Sequence, residues 1–75
     1  MEKLTFTLSS EYIELIKLLK MMKLVGSGGE AKIRIEDGEA FRNGEVETRK
    51  RAKIKAGEVI VFDEFEIKVL AAEAD

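Results

Sequence analysis

Four cations, Arg49, Arg51, Lys53 and Lys55, stand on alternate residues past the middle of the sequence. In an extended chain, alternate side chains share a face and repeat about every 6.6 Å. The four would then form a row of positive charge that repels itself unless an anion lies along it. A phosphodiester chain suits such a row, and two of its members are arginines, whose planar guanidinium matches phosphate and stacks on bases. The excess is local. Residues 42–55 hold six cations (Arg42, Arg49, Lys50, Arg51, Lys53, Lys55) and two anions (Glu45, Glu47), a net of +4, in a 75-residue chain whose formal charge is −2. A concentration of charge against the overall sign reads as a surface for a polyanion. The competing reading is a solvated strand face that resists edge-to-edge pairing, with Glu45 and Glu47 neutralising part of the row from a neighbouring strand.

A second group with chemical potential is Ser27-Gly28-Gly29-Glu30. Helix N-termini carry free N–H groups, and glycines let a phosphate approach the backbone. Lys32 and Arg34, in the first turns that follow, add positive charge. Catalysis has little to build on: the chain has no histidine and no cysteine, and its Lys, Glu and Asp are scattered without cradle spacing. No enzyme, metal, cofactor or small-molecule substrate is expected.

The elements that must position these groups follow from periodicity. Leu4, Phe6 and Leu8 alternate with polar residues as a first strand. Ser9 and Ser10 are candidate N-caps, and Tyr12, Leu15, Ile16, Leu19 and Met22 recur at helical spacing to about Lys23. Ile13, Leu18 and Met21 widen the stripe, so more than half of this helix's circumference is expected to be buried. Gly26 is read as its end. Ser27 and Glu30 fit a capping box for a second helix, Gly28 to Asp37, with Ala31 and Ile35 inward and Gly38 as the left-handed stop. The two short helices should pack as a corner.

The remainder reads as β. Asn43-Gly44 between Ala40–Arg42 and Glu45–Thr48 is a type I′ hairpin signal. The cationic stretch follows as a strand, with Ala52, Ile54 and Ala56 on its other face. Val59–Phe62, a turn at Asp63-Glu64, and a last strand on Phe65, Ile67 and Val69 complete the chain, with residues 71–75 expected to fray. If Arg42 points to solvent, as a charged group should, alternation turns Phe41 into the core.

Length and composition allow one domain over residues 1–75 and a small core. Hydrophobic content of 45% and charged content of 37% indicate a globular chain. No stretch approaches the ~20 apolar residues of a membrane helix, and no signal peptide is visible, so the cytoplasm is the default.

Taken together, Val25-Gly26-Ser27-Gly28-Gly29-Glu30-Ala31-Lys32, Asp37-Gly38, Asn43-Gly44-Glu45-Val46-Glu47-Thr48-Arg49-Lys50-Arg51 and Lys53-Ile54-Lys55-Ala56-Gly57-Glu58-Val59 resemble one family. It is the RNA-binding domain named after the fourth small-subunit ribosomal protein, also called the α-L motif, and the likeness covers about residues 9–62. The resemblance implies an α+β fold of two packed short helices against a small curved, mainly antiparallel sheet. It also implies structured RNA as the partner (ribosomal RNA, an assembling ribosome or transfer RNA), held by Ser27, Gly28, Gly29, Lys32, Asn43, Gly44, Arg49, Lys50, Arg51 and Lys53. Charge adds Arg42 and Lys55 to that surface. Arg42 departs from the commoner family pattern, which has Val before Asn-Gly. The family's usual facing would put Phe41 outside, where it could stack on an unpaired base. The alternative function is a protein–protein adaptor that uses the Met-rich helix or a sheet edge. A ubiquitin-like carrier is a poorer fit, because the chain ends Ala-Glu-Ala-Asp rather than Gly-Gly.

Overall fold

A computed structural model describes residues 1–72. Strand β1 (Glu2–Thr7) runs parallel to the last strand, β7 (Phe65–Leu70), in the register Leu4↔Ile67 and Phe6↔Val69. Strand β6 (Val59–Phe62) pairs antiparallel with β7 and with β3 (Ala40–Arg42), and β3 pairs with β4 (Glu45–Val46). The five form one sheet in the order β1-β7-β6-β3-β4, antiparallel but for its first pair. A separate two-stranded ribbon joins β2 (Tyr12–Glu14) to β5 (Lys53–Lys55). The two helices, α1 (Leu15–Met21) and α2 (Gly28–Glu36), pack against each other as a corner.

The core takes Leu15, Leu18 and Leu19 from α1, Ile35 from α2, Ile54 from the ribbon, and Ile60, Phe62, Ile67 and Val69 from the sheet. The alternation expected of the β6–β7 hairpin is present: Ile60, Phe62, Ile67 and Val69 are fully buried and their neighbours are not. The hairpin turn at Asn43-Gly44 is also as expected, with positive φ at both residues (51° and 87°), the signature of type I′.

The first helix is shorter than its hydrophobic stripe. Tyr12, Ile13 and Glu14 are strand, paired with Lys55, Ile54 and Lys53. Ser10 caps nothing; its hydroxyl donates to the Tyr12 carbonyl at 3.0 Å. The physical reason is that Ile13 and Leu15 satisfy both periods at once, alternating as in a strand and falling on the helical stripe. A partner strand for Ile13 decides the matter. Helix α1 is closed at Lys23, past its Met22 C-cap, rather than at Gly26: Lys23 is left-handed (φ 60°), with Leu24 N–H donating to the Leu19 carbonyl and Lys23 N–H to the Lys20 carbonyl. That is a Schellman closure with a lysine where glycine is usual. Met21, expected on the buried stripe, is exposed. Gly38 (φ 85°) closes α2 in the same geometry, as its sequence predicts.

The candidate nucleic-acid interface

The cationic stretch is not one strand. Only Lys53–Lys55 is extended, and residues 49–52 form a turn closed by Ala52 N–H donating to the Arg49 carbonyl at 3.1 Å. The turn is set by α1. That helix has Glu14 at its N-cap with no side-chain cap, so its first N–H groups need other acceptors. Leu15 N–H finds the Ala52 carbonyl (3.0 Å) and Ile16 N–H the Lys50 carbonyl (2.9 Å). The basic turn is therefore bolted to a helix end by main-chain bonds, with Ala52 turned into the core and Arg49 and Arg51 left exposed.

What results is a concave cationic surface instead of a row. Arg42, Arg49, Arg51, Ala52, Lys53 and Lys55 line a depression of about 430 Å³. Arg51, Lys53 and Lys55 are exposed. Arg49, 73% exposed at its side chain, is held from one side by Glu47: its Nε and Nη2 donate to the two carboxylate oxygens at 2.9 and 3.1 Å. Glu47 is itself buried. Its carboxyl is lowered from the usual 4.5 to about 2, chiefly by these bonds from Arg49 and against the cost of burial, with smaller help from the Arg49 N–H and Arg42. The partial neutralisation expected of Glu47 thus also fixes the direction in which Arg49 points.

Arg42 overturns the expected facing of β3. It is turned inward and only 23% exposed, and Phe41 is outside at 40%. An inward arginine needs partners, and the fold supplies them from 5, 11 and 16 residues downstream. Arg42 Nε and Nη2 donate to Glu58 at 2.6 and 2.9 Å, Nη2 also donates to the Lys53 carbonyl at 2.9 Å, and Nη1 donates to Glu47 at 3.3 Å. Its charge is consumed there, so Arg42 supports the depression as an internal counter-ion. Glu58 is held below the ordinary carboxyl range, first by Arg42, then by the Lys55 N–H at 2.7 Å and by Asn43. Asn43 likewise works inward: its amide donates to Glu58 (3.1 Å), and its oxygen accepts from Val59 N–H (2.9 Å).

The second cluster sits at the start of α2. Ser27 is extended and its hydroxyl accepts from Glu30 N–H at 3.1 Å, as the capping box requires. The return arm differs by one residue, Glu30 accepting from Gly26 N–H at 2.9 Å. Among the described residues no acceptor meets the N–H groups of Gly28 and Gly29. A residue missed from the sequence joins them: the Lys20 Nζ lies 3.8 Å from where a Cβ on Gly28 would stand. Lys20 and Gly28 are eight positions apart across a turn, and no pattern in the sequence predicts their meeting. Lys32 is exposed on α2. Arg34 is not available, because it is bound by Glu30, Glu39 and Asp63 and lies 4.3 Å over the Phe62 ring. One end of α1 therefore touches the basic turn and the other the α2 start, two cationic clusters separated by a helix about 10 Å long.

This arrangement of a helical corner, an Asn-Gly hairpin and a basic turn has counterparts. The sequence profile of the S4 domain matches residues 6–70. The chain belongs to the S4 domain family. YbcJ of Escherichia coli (strain K12) is 43% identical over 68 residues, which are 89% of this chain and 97% of that protein, and YbcJ of Shigella flexneri matches equally. The solution structure of the E. coli protein, described as revealing an α-L motif involved in RNA-binding, superimposes with a TM-score of 0.69 over 89% of this chain and 86% of that one. This S4 domain therefore has the α-L fold its sequence resembles. No described helix is long and apolar enough to cross a membrane.

Proposed function

We propose that this S4 domain binds structured RNA without catalysis, with ribosomal RNA, an assembling ribosomal particle or transfer RNA as targets. The observation that carries the reading is the concave basic turn: Arg49, Arg51, Lys53 and Lys55 are presented by a backbone fixed to α1, so little ordering cost remains when phosphates arrive. Lys50, in the same turn, adds to the field. The amides of Gly28 and Gly29, with Lys20 and Lys32, would hold a further stretch of backbone beyond the other end of α1. The Asn43-Gly44 turn acts by fixing β3 and β4 beside Glu58. The described α-L motif of YbcJ supports the same ligand class. An RNA ligand in the reducing cytoplasm accords with a chain free of cysteine.

The test is ionic strength. About five phosphate contacts at −0.7 to −0.9 each predict that log affinity for transfer or ribosomal RNA falls with log salt at a slope of roughly −4. Arg51→Ala should flatten the slope by about one and leave the melting temperature unchanged. A slope near zero refutes the reading. It would favour protein docking, for which the outer sheet face offers Val46, Phe41 and Val61 side by side on three strands.

A further inference from the structure

The β2–β5 ribbon carries more than charge. Its register pairs Tyr12 with Lys55 and Glu14 with Lys53, while Ile13 and Ile54 are buried on the opposite face. One outward face thus presents an aromatic ring, a carboxylate and two of the cations that line the basic depression. The Lys53 ammonium lies 5.1 Å from the centroid of the Tyr12 ring. Tyr12 and Glu14 also line a second cavity, of about 360 Å³, between the end of β1 and α1, with Ser9, Ser10, Lys17 and Met21 around them. That volume is within the roughly 300–1,000 Å³ typical of small-ligand sites. Aromatic rings beside backbone-tracking cations are how proteins take up unstacked bases.

Resting on the RNA-binding reading, we propose that this cavity receives one unpaired guanine of the bound RNA, stacked on Tyr12, with its phosphate at Lys53 and Lys55. The choice of base follows from Glu14. An ionised carboxylate only accepts hydrogen bonds, and among the described residues no side chain pairs with it. Guanine offers N1–H and N2–H side by side, a match to two carboxylate oxygens. Adenine and cytosine offer an amino group next to an acceptor, and uracil one N–H between two carbonyls, so each sets a lone pair against the carboxylate. Lys17, in the same lining, can donate to the guanine O6.

Tyr12 is the chain's single tyrosine and there is no tryptophan, so tyrosine emission reports this cavity alone. The experiment titrates the full chain at low salt with UUGUUU, UUAUUU and UUUUUU, following tyrosine emission and the anisotropy of end-labelled hexamers; transfer RNA is titrated in parallel. The expected result is saturable quenching, with UUGUUU half-saturating at a concentration about 10-fold or more below the other two. Glu14→Gln should weaken UUGUUU to the affinity of UUUUUU, and Tyr12→Phe should retain the preference for guanine by anisotropy. Equal affinities, a preference that survives Glu14→Gln, binding without any change in tyrosine emission, or binding of transfer RNA but of no hexamer each overturn the guanine pocket alone. Failure of the hexamers, of transfer RNA and of ribosomal RNA titrated in the same way overturns the RNA reading and the pocket with it.

Discussion

Replacing Arg42 by Ala tests whether this residue is part of the framework or part of the interface. Its guanidinium makes two bonds to Glu58, one to Glu47 and one to the Lys53 carbonyl, and the side chains of Arg42, Glu58 and Glu47 are 23%, 18% and 11% exposed. Removal leaves two carboxylates largely out of water. Breaking a fully buried pair costs about 3–5 kcal/mol. Here each carboxylate keeps other donors: Glu58 has the Lys55 N–H and Asn43, and Glu47 has Arg49. The cost should then be about 2–3 kcal/mol, from charged hydrogen bonds lost and partial desolvation left uncompensated. A domain of this size has roughly 4–11 kcal/mol in total, so the melting temperature should fall by about 10–20 °C. Thermal and urea unfolding followed by circular dichroism measure it. Glu58→Gln in the same background should add less than its effect alone, a coupling of about 1–2 kcal/mol. Because the Arg42 charge is already neutralised, the salt slope of RNA binding, measured well below the melting point, should not change. A loss below about 0.5 kcal/mol together with a slope flattened by one would show the guanidinium facing the ligand and refute the framework role.

Three further outcomes follow from the same geometry. Gly29→Asp places a carboxylate on the α2 start; a Cβ there meets only the Ser27 hydroxyl at 3.9 Å, so the fold should be unaffected or slightly stabilised while RNA affinity drops, and unchanged affinity in an electrophoretic assay would remove this corner from the interface. Phe41→Ala, on a residue 40% exposed beside Val46 and Val61, should cost about 1 kcal/mol, and a loss of 3 kcal/mol or more by denaturant titration would show the ring to be core. Glu47, whose folded value of about 2 lies below its usual 4.5, contributes stability that is fully present above about pH 4.5 and is lost as pH falls towards 2. The gap corresponds to at most about 3 kcal/mol, and the exposure of Arg49 reduces it to about 1–2 kcal/mol. Glu47→Gln should remove most of that acid dependence in unfolding curves taken between pH 2 and 5, and an unaltered pH profile would refute the assignment.

Where a rule of local chemistry was sufficient, the sequence was legible. The left-handed Asn43-Gly44 pair, the Ser27 cap and the Gly38 stop each act within four residues, and β6 and β7 each satisfy one period only. The cations were also visible, because they are concentrated. The misreadings needed distant partners. Tyr12–Glu14 fits either period until β5 is placed beside it, and the outward rule for arginine fails at Arg42 because Glu58 waits across the sheet. The bend at Arg49–Ala52 follows from the unfilled needs of the α1 N-terminus, whose Ile16 and Leu15 lie 34 and 37 residues before their acceptors. Lys20 beside Gly28 is a product of the helical corner, which no spacing in the chain announces.

The parallel pairing of β1 with β7 has a kinetic side. Glu2 and Phe65 are register partners, so among the described residues the first strand pairs only with a strand 63 positions downstream. The other pairs of the five-stranded sheet join residues at most 22 positions apart (Ala40↔Phe62), the β2–β5 ribbon at most 43 (Tyr12↔Lys55), and the helical corner is more local still. Contacts of long sequence separation form slowly, since the loop must close before any bond rewards it. The corner and the β6–β7 hairpin should therefore form early, and β1 should dock last. During synthesis from the N-terminus, Leu4 and Phe6 would stay uncovered until Ile67 and Val69 had been added. A growing chain thus carries an unpaired apolar strand until Ile67 and Val69 are made, which exposes the nascent stage to aggregation.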